Sequence, residues 1–385
     1  MPAPRIHPMM PESNHDELAE QQFVVALKTF LASEMDPVIR DATLAAERRI
    51  AAETGKRPTL QQVRRALESE QLYQNWLSAM RSAQELMWQA AGDCVDRQRG
   101  TLDELARSAP RIGSVQTDPS FVVPPYLAAH DTHMMPGSYH TDPPEGGVRQ
   151  GAVFDKAASL YSLGRQGGQM NDMRGHTVVA HLFERFPELE PKHILEMGCT
   201  VGNSLVAVAR LFPQAEVHGI DVGAGLLEYA HARAARLGVP LHFRQASAEE
   251  TGYADNSFDV VFTSAVLHET SAKALPRIIA ECLRVLKPGG VMIHLEVPFR
   301  ADDADAFQLL RSDFEARYNN EPFWMGAVSA DLVALAQRAG FVEAVAGFQD
   351  AAFGPPARNA RGHFGVENKG GYKSWYLMSA RKPQP

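Results

Sequence analysis

Ile194-Leu195-Glu196-Met197-Gly198-Cys199-Thr200-Val201-Gly202-Asn203-Ser204 reads as a short apolar strand, a glycine-bearing turn and the opening of a helix. Glycine lets the backbone bend tightly and lets a ligand approach it, because no Cβ stands in the way. The helix that follows offers free backbone N–H groups at its start. Many nucleotide-binding folds share such a turn, so its surroundings decide what it means. Asp221 ends the next apolar run, 23 residues beyond Gly198, where an acid can accept both hydroxyls of a ribose.

Outward from this turn, short apolar runs alternate with helical segments. Strands are predicted at 193–197, 216–220, 241–245, 259–264, 291–297, 341–347 and 374–380, with helices at 204–211, 226–237 and 273–286 between them. That alternation predicts an α/β fold with a mostly parallel, doubly wound, Rossmann-like sheet. The last two strands lack a helix between them, which predicts a C-terminal antiparallel hairpin joined by the long loop 349–372. Lys287-Pro288-Gly289-Gly290 reads as a turn without chemistry of its own.

The series ILEMGCTVGNS, HGIDVG, SAEE, DNSFDVVF, VLHE, RVLKPGGVMI and AGF, in that order, resembles the class I S-adenosylmethionine methyltransferases. The nearest likeness is to small-molecule enzymes of the ubiquinone and menaquinone C-methyltransferase type, and it runs from about Phe154 onward. The resemblance implies S-adenosylmethionine as cofactor. It places Glu196 at the methionine amino end and Gly198, Cys199 and Gly202 in the turn. Asp221 falls on the ribose, Val222, Ser247 and Ala248 beside the adenine, and Ser264 and Tyr161 along the rest of the cofactor. Two departures stand out. Thr200 occupies a position where the family often has glycine, which implies a tighter or shifted turn, and Ser247 replaces a frequent Asp, which implies a weaker adenine contact.

Methyl transfer needs alignment of nucleophile, methyl and sulfur, plus a base when the acceptor carries a proton. His268 and Glu269 follow the 259–264 strand, at the carboxyl end of the sheet where ligands bind in such folds, and are the candidate catalytic residues. Tyr139 and His140, with Tyr318, Asn319 and Trp324 of the segment inserted after the 291–297 strand, are the candidate acceptor-binding residues. Arg358, Arg361 and His363 are read as groups that close over a carboxylate, or else as a solvated loop. His130, His133 and His140, with Asp131 and Asp142, have no metal-motif spacing, and no metal is expected.

The first 150 residues divide into a loose tail (1–14), an α-helical region (15–109) and a Pro-rich ordered strap or lid (110–150), before the catalytic region 151–385. Breaks are predicted at Asp36-Pro37 and at 55–58, and Thr59-Leu60-Gln61-Gln62 reads as a capping box. Tyr73, Trp76, Leu77, Met80, Ala83 and Met87 recur at helical spacing and form either a core-packing stripe or a dimer seam. Seven prolines lie between Pro110 and Pro144, among aromatic residues that a free linker would not need.

A formal net charge of −8, without any basic cluster, argues against a nucleic-acid partner. Three widely spaced cysteines, an N-terminus without a signal-peptide pattern and the lack of a long apolar run predict a cytoplasmic protein away from membranes. The expected function is methylation of O, N, S or C on a small metabolite, with a homodimer possible. The alternatives are a protein or RNA methyltransferase that recognises its target through the helical region, and a cofactor-binding module without turnover.

Overall fold

The computed structural model describes residues 6–141, 147–162 and 165–384. Its strands are β1 (Ser114–Gln116), β2 (His193–Met197), β3 (Glu216–Asp221), β4 (His242–Gln245), β5 (Phe258–Ser264), β6 (Leu286–Glu296), β7 (Val342–Asp350), β8 (Phe364–Val366) and β9 (Ser374–Arg381). Among the described residues they form one sheet in the order β1-β4-β3-β2-β5-β6-β9-β7-β8. From β1 to β6 neighbouring strands are parallel, and β9 runs antiparallel between β6 and β7.

Alternation along β2 explains how both faces become covered. Ile194 packs with the helix Met173–Arg185 and with Val206, whereas Leu195 and Met197 point into the opposite layer with Ile278, Cys282 and Leu332. A strand buried on both sides reads as a continuous apolar run, as β2 does. The seven strands predicted from the sequence all exist, and the hairpin expected at the C-terminal end is the β7–β9 pair. The sequence reading missed β1 and β8, each three residues long and too short to show a period. The Lys287–Gly290 turn is absorbed into the irregular start of β6, where Gly289 takes φ 79°.

The N-terminal region differs from expectation in two places. The chain from Ile6 is not loose: Met9 is fully buried, His7 stands 2.9 Å from Asp155, and the Tyr229 hydroxyl donates to the Met9 carbonyl at 2.9 Å. Nor does Asp36-Pro37 break the helix. A π-helical turn, Leu31–Met35, joins His15–Phe30 to Asp36–Thr54, and Pro37 follows directly on that turn, where the wider winding accommodates a residue without an N–H. The capping box at Thr59 and Gln62 is present and opens Leu60–Leu67.

The apolar stripe lies on the helix Gln71–Arg97 and packs within the chain. Trp76 has no exposed surface and contacts Phe314 of the helix Ala306–Tyr318, with ring centroids 5.8 Å apart. Further along, Met87 joins Val153 of the helix Arg149–Tyr161 and Tyr229. The stripe therefore fastens the helical region onto the sheet domain. No helix among the described residues is long and apolar enough to cross a membrane.

Candidate active site

A cavity of about 660 Å³ opens above the carboxyl ends of the central strands, lined by Glu196 at the end of β2, Asp221 of β3, Ser264 of β5 and Val297 after β6. The turn after β2, with Gly198, Cys199 and Thr200, forms its floor. Gly198 takes φ 74°, and a Cβ there would meet Val266 Cγ2 at 2.7 Å, so a side chain at this position would both strain the backbone and fill the floor. Thr200, where the resemblance implies a tighter or shifted turn, adopts left-handed geometry, with φ 46°. For a β-branched residue this is strained backbone of the kind found at ligand sites.

Asp221 is held by the same turn. Its two oxygens accept from the Thr200 N–H at 2.9 Å and the Gly223 N–H at 3.1 Å. Burial pushes its carboxyl up to about 6, opposed by the backbone donors of Thr200, Gly223 and Val222. Glu196 is buried, and its Oε2 has no partner among the described residues. Burial holds its carboxyl well above the usual range, and Arg174, whose Nε is likewise unpartnered among them, works against that. An unpartnered carboxylate oxygen and an unpartnered guanidinium nitrogen on one cavity wall fit the charged amino-acid end of a ligand such as S-adenosylmethionine.

Nine of the ten residues expected to hold the cofactor lie on this wall: Tyr161, Glu196, Gly198, Cys199, Asp221, Val222, Ser247, Ala248 and Ser264. Gly202 does not. It is the N-cap of the helix Asn203–Leu211, with φ 71° and Phe243 packed against it. Ser247 spends its Oγ on the Glu249 N–H at 3.2 Å, a local turn contact.

The far end of the cavity is roofed by the strap, through Tyr126 and Tyr139, and by the segment after β6, through Phe307, Arg311 and Trp324. His268 sits here, its Nδ1 2.7 Å from Glu296 Oε2 and its ring 5.1 Å from that of Trp324. Burial works to strip His268 of its proton, but the Glu296 carboxylate, with Glu269 and Glu321 nearby, outweighs it and raises the value to about 9. In this arrangement the ring carries its proton at neutral pH and must shed it before it can accept another. Glu269 stands 2.8 Å from His133 and accepts from the Tyr139 hydroxyl at 3.4 Å.

Three of the expected acceptor contacts lie off the cavity wall. His140 turns to the Leu127 carbonyl at 3.2 Å. Tyr318 packs on Phe314, ring centroids 5.7 Å apart, in the cluster around Trp76. Asn319 is buried behind the wall and donates to Glu315 and Glu321, both at 2.7 Å. Both Tyr318 and Asn319 lie past Glu315, the last residue of Ala306–Tyr318 on the cavity wall, so they sit beyond the stretch of helix that lines it. Arg358 pairs with the surface acid Glu190, Arg361 donates to the Ala360 carbonyl and His363 lies 3.5 Å from Asp350, so none of these three reaches the cavity, whereas Gly371 and Tyr372 at the end of the long loop do line it. Asp142 lies outside the described residues.

The sequence reading passed over His133, Glu296, Arg174, Arg311, Glu315 and Glu321. His133 was visible as one of three strap histidines, but its partners come from segments more than a hundred residues away.

Comparison with known proteins narrows the reading. Residues 194–290 match the family model described as a methyltransferase domain, a narrower stretch than the resemblance from Phe154 onward. A demethylmenaquinone methyltransferase of Symbiobacterium thermophilum is 30% identical over 169 residues, covering 42% of this chain and 64% of its own. A trans-aconitate 2-methyltransferase of Methylobacterium radiotolerans is 36% identical over 115 residues, covering 29% and 41%. The matched stretch thus spans less than two thirds of each relative. Among solved structures, phosphoethanolamine N-methyltransferase 2 of Haemonchus contortus with S-adenosyl-L-methionine aligns with a TM-score of 0.42 and 16% identity, covering 60% of this chain and 57% of that one.

Proposed function

We propose that the protein, whose residues 194–290 match a methyltransferase domain, is a class I S-adenosylmethionine-dependent methyltransferase that methylates a small-molecule acceptor held between the strap and the segment after β6. The observation that carries the reading is the roofed cavity itself. Its volume of about 660 Å³ must hold the cofactor as well as the acceptor, which leaves room for a small acceptor only, and its roof comes from chain outside the matched domain. A macromolecular target would need an open groove in place of Tyr126, Tyr139 and Trp324.

The bound cofactor supplies an activated methyl group, and the rest falls to the protein. Asp221 accepts from the ribose hydroxyls, while Glu196 and Arg174 face the charged amino-acid end. Tyr139, Trp324 and Phe299 exclude water from the far end, which strengthens every polar contact there. His268 and Glu269 act on the acceptor atom, and Glu296 keeps the His268 ring oriented. The protein's place of work in this reading is the cytoplasm.

The test is transfer of a labelled methyl group from S-adenosylmethionine to a fractionated cell extract, with product masses. Label in the small-metabolite fraction, lost in His268→Ala, is the expected result. Label confined to protein or RNA would contradict the reading.

A further inference from the structure

Four side chains from three separate segments converge at the roofed end of the cavity. His133 comes from the strap, His268 and Glu269 from the turn after β5, and Glu321 from the segment after β6. One ligand-type atom of each lies within 4.8 Å of all the others. Ligands about 2.0–2.2 Å from a common ion stand roughly 3–4 Å apart, so small side-chain movements would close this set.

Without an ion the cluster is held by ion pairs, His133 standing 2.8 Å from Glu269 and 2.9 Å from Glu321, but its surroundings also carry features of a metal centre. Glu296 takes Nδ1 of His268 at 2.7 Å, leaving Nε2 directed at the cluster, 3.6 Å from Glu269. A carboxylate behind an imidazole is the usual way to fix the tautomer and ring of a metal-bound histidine. Glu321 is 1% exposed; its Oε1 accepts from Asn319 and lies 2.9 Å from His133 Nδ1, and its Oε2 has no partner among the described residues. The backbone is bent to deliver two of the four. His133 and Met134 take φ 55° and 59°, and Asn320, next to Glu321, takes φ 54°. Non-glycine residues hold such conformations where the surrounding structure enforces them, often at functional sites.

We propose that His133, His268, Glu269 and Glu321 bind one divalent first-row transition-metal ion. His133, His268 and Glu269 line the cavity while Glu321 lies behind it, so the open coordination positions face the acceptor. A mixed imidazole and carboxylate set suits manganese(II), iron(II), cobalt(II) or zinc(II). Resting on the methyl-transfer reading above, the inference extends to the acceptor: a hydroxyl or thiol that gives its proton to solvent and binds the ion through oxygen or sulfur.

The test uses the full chain, stripped with a chelator and titrated with manganese(II), cobalt(II) and zinc(II), with cobalt read by visible absorption. One ion per chain is expected. His133→Ala and Glu321→Gln should each weaken binding at least about 100-fold, and Glu296→Gln about 10–100-fold through the His268 ring. Melting curves confirm that each variant is folded, and Glu321→Gln retains the bulk of the side chain should His133→Ala fail to fold. Wild-type protein that binds S-adenosylmethionine but takes up no ion would overturn the metal site and leave the methyl-transfer reading standing. Stoichiometric metal without cofactor binding would do the reverse. Metal bound equally by wild type and by folded Glu321→Gln and His133→Ala would place the ion elsewhere and also overturn the proposal.

Discussion

Glu296, at the end of β6, binds the turn after β5 at three points: Oε2 meets Nδ1 of His268 at 2.7 Å, and Oε1 accepts the N–H groups of Val266 and Leu267 at 2.9 and 2.7 Å. The sheet thus sets the His268 ring directly. Glu296→Gln keeps an acceptor for the backbone but removes the charge behind the imidazole. A loss of about 1–3 kcal/mol in stability is expected, with turnover falling at least tenfold and cofactor affinity unchanged. Calorimetry beside steady-state rates checks this, and equal losses in affinity and turnover would count against the assigned role.

Asp155 holds the N-terminal segment and the sheet domain together. It faces His7 at 2.9 Å and Arg233 at 3.3 Å, all without exposed side-chain surface. His7 and Arg233 hold the Asp155 carboxyl low against the pull of burial, whereas burial outweighs Asp155 at His7 and lowers that ring. Asp155→Ala leaves Arg233 buried without its counter-charge, so a destabilisation of about 3–5 kcal/mol is expected. Chemical denaturation measures it, and a loss under 1 kcal/mol would contradict the importance of the network.

Glu196 addresses one end of the cofactor alone. Glu196→Gln should weaken S-adenosylmethionine by about 1–3 kcal/mol, the range for hydrogen bonds to charged groups. Binding of 5′-methylthioadenosine, which lacks the amino-acid tail, should be unaffected. If both ligands weaken equally, Glu196 shapes the turn and does not touch the tail.

The pH dependence of cofactor binding follows from Asp221. Its folded value of about 6 lies above that of a free carboxylate, so the folded protein binds this proton more tightly than the unfolded chain does. Stability from this group is therefore greatest at low pH and declines as pH rises through the window from about 4 to 6. Ribose hydroxyls need the ionised form as acceptor, so affinity should be flat above about pH 6 and fall by up to tenfold per unit below it. Titrations at pH 7.5 and 5 test this, and Asp221→Asn should flatten the profile.

How much of this was legible in the sequence depends on how local each feature is. The strand–turn–helix at 194–204 and Asp221 are local signals, and all but one of the cofactor residues read from them lie on the cavity wall. Thr59 and Gln62 are equally local, and their capping box forms. Tyr318 and Asn319 were misplaced because sequence does not say how far along a helix the cavity wall extends. His133, Glu296 and Glu321 were invisible as a group because three segments meet only once the strap folds over β5 and β6. His7 and Met9 show the same limit: a Pro-rich start reads as loose until a buried aspartate is found opposite it.

The central claim is that the cavity above β2 and β3 binds S-adenosylmethionine through the Gly198 turn and Asp221. Isothermal titration of S-adenosylmethionine into wild type, Asp221→Ala and Gly198→Val measures it most directly. One site per chain is predicted, weakened by about 1–3 kcal/mol in Asp221→Ala and abolished in Gly198→Val, whose side chain would press on Val266. No binding to wild type, or unchanged affinity in both folded variants, would contradict the account.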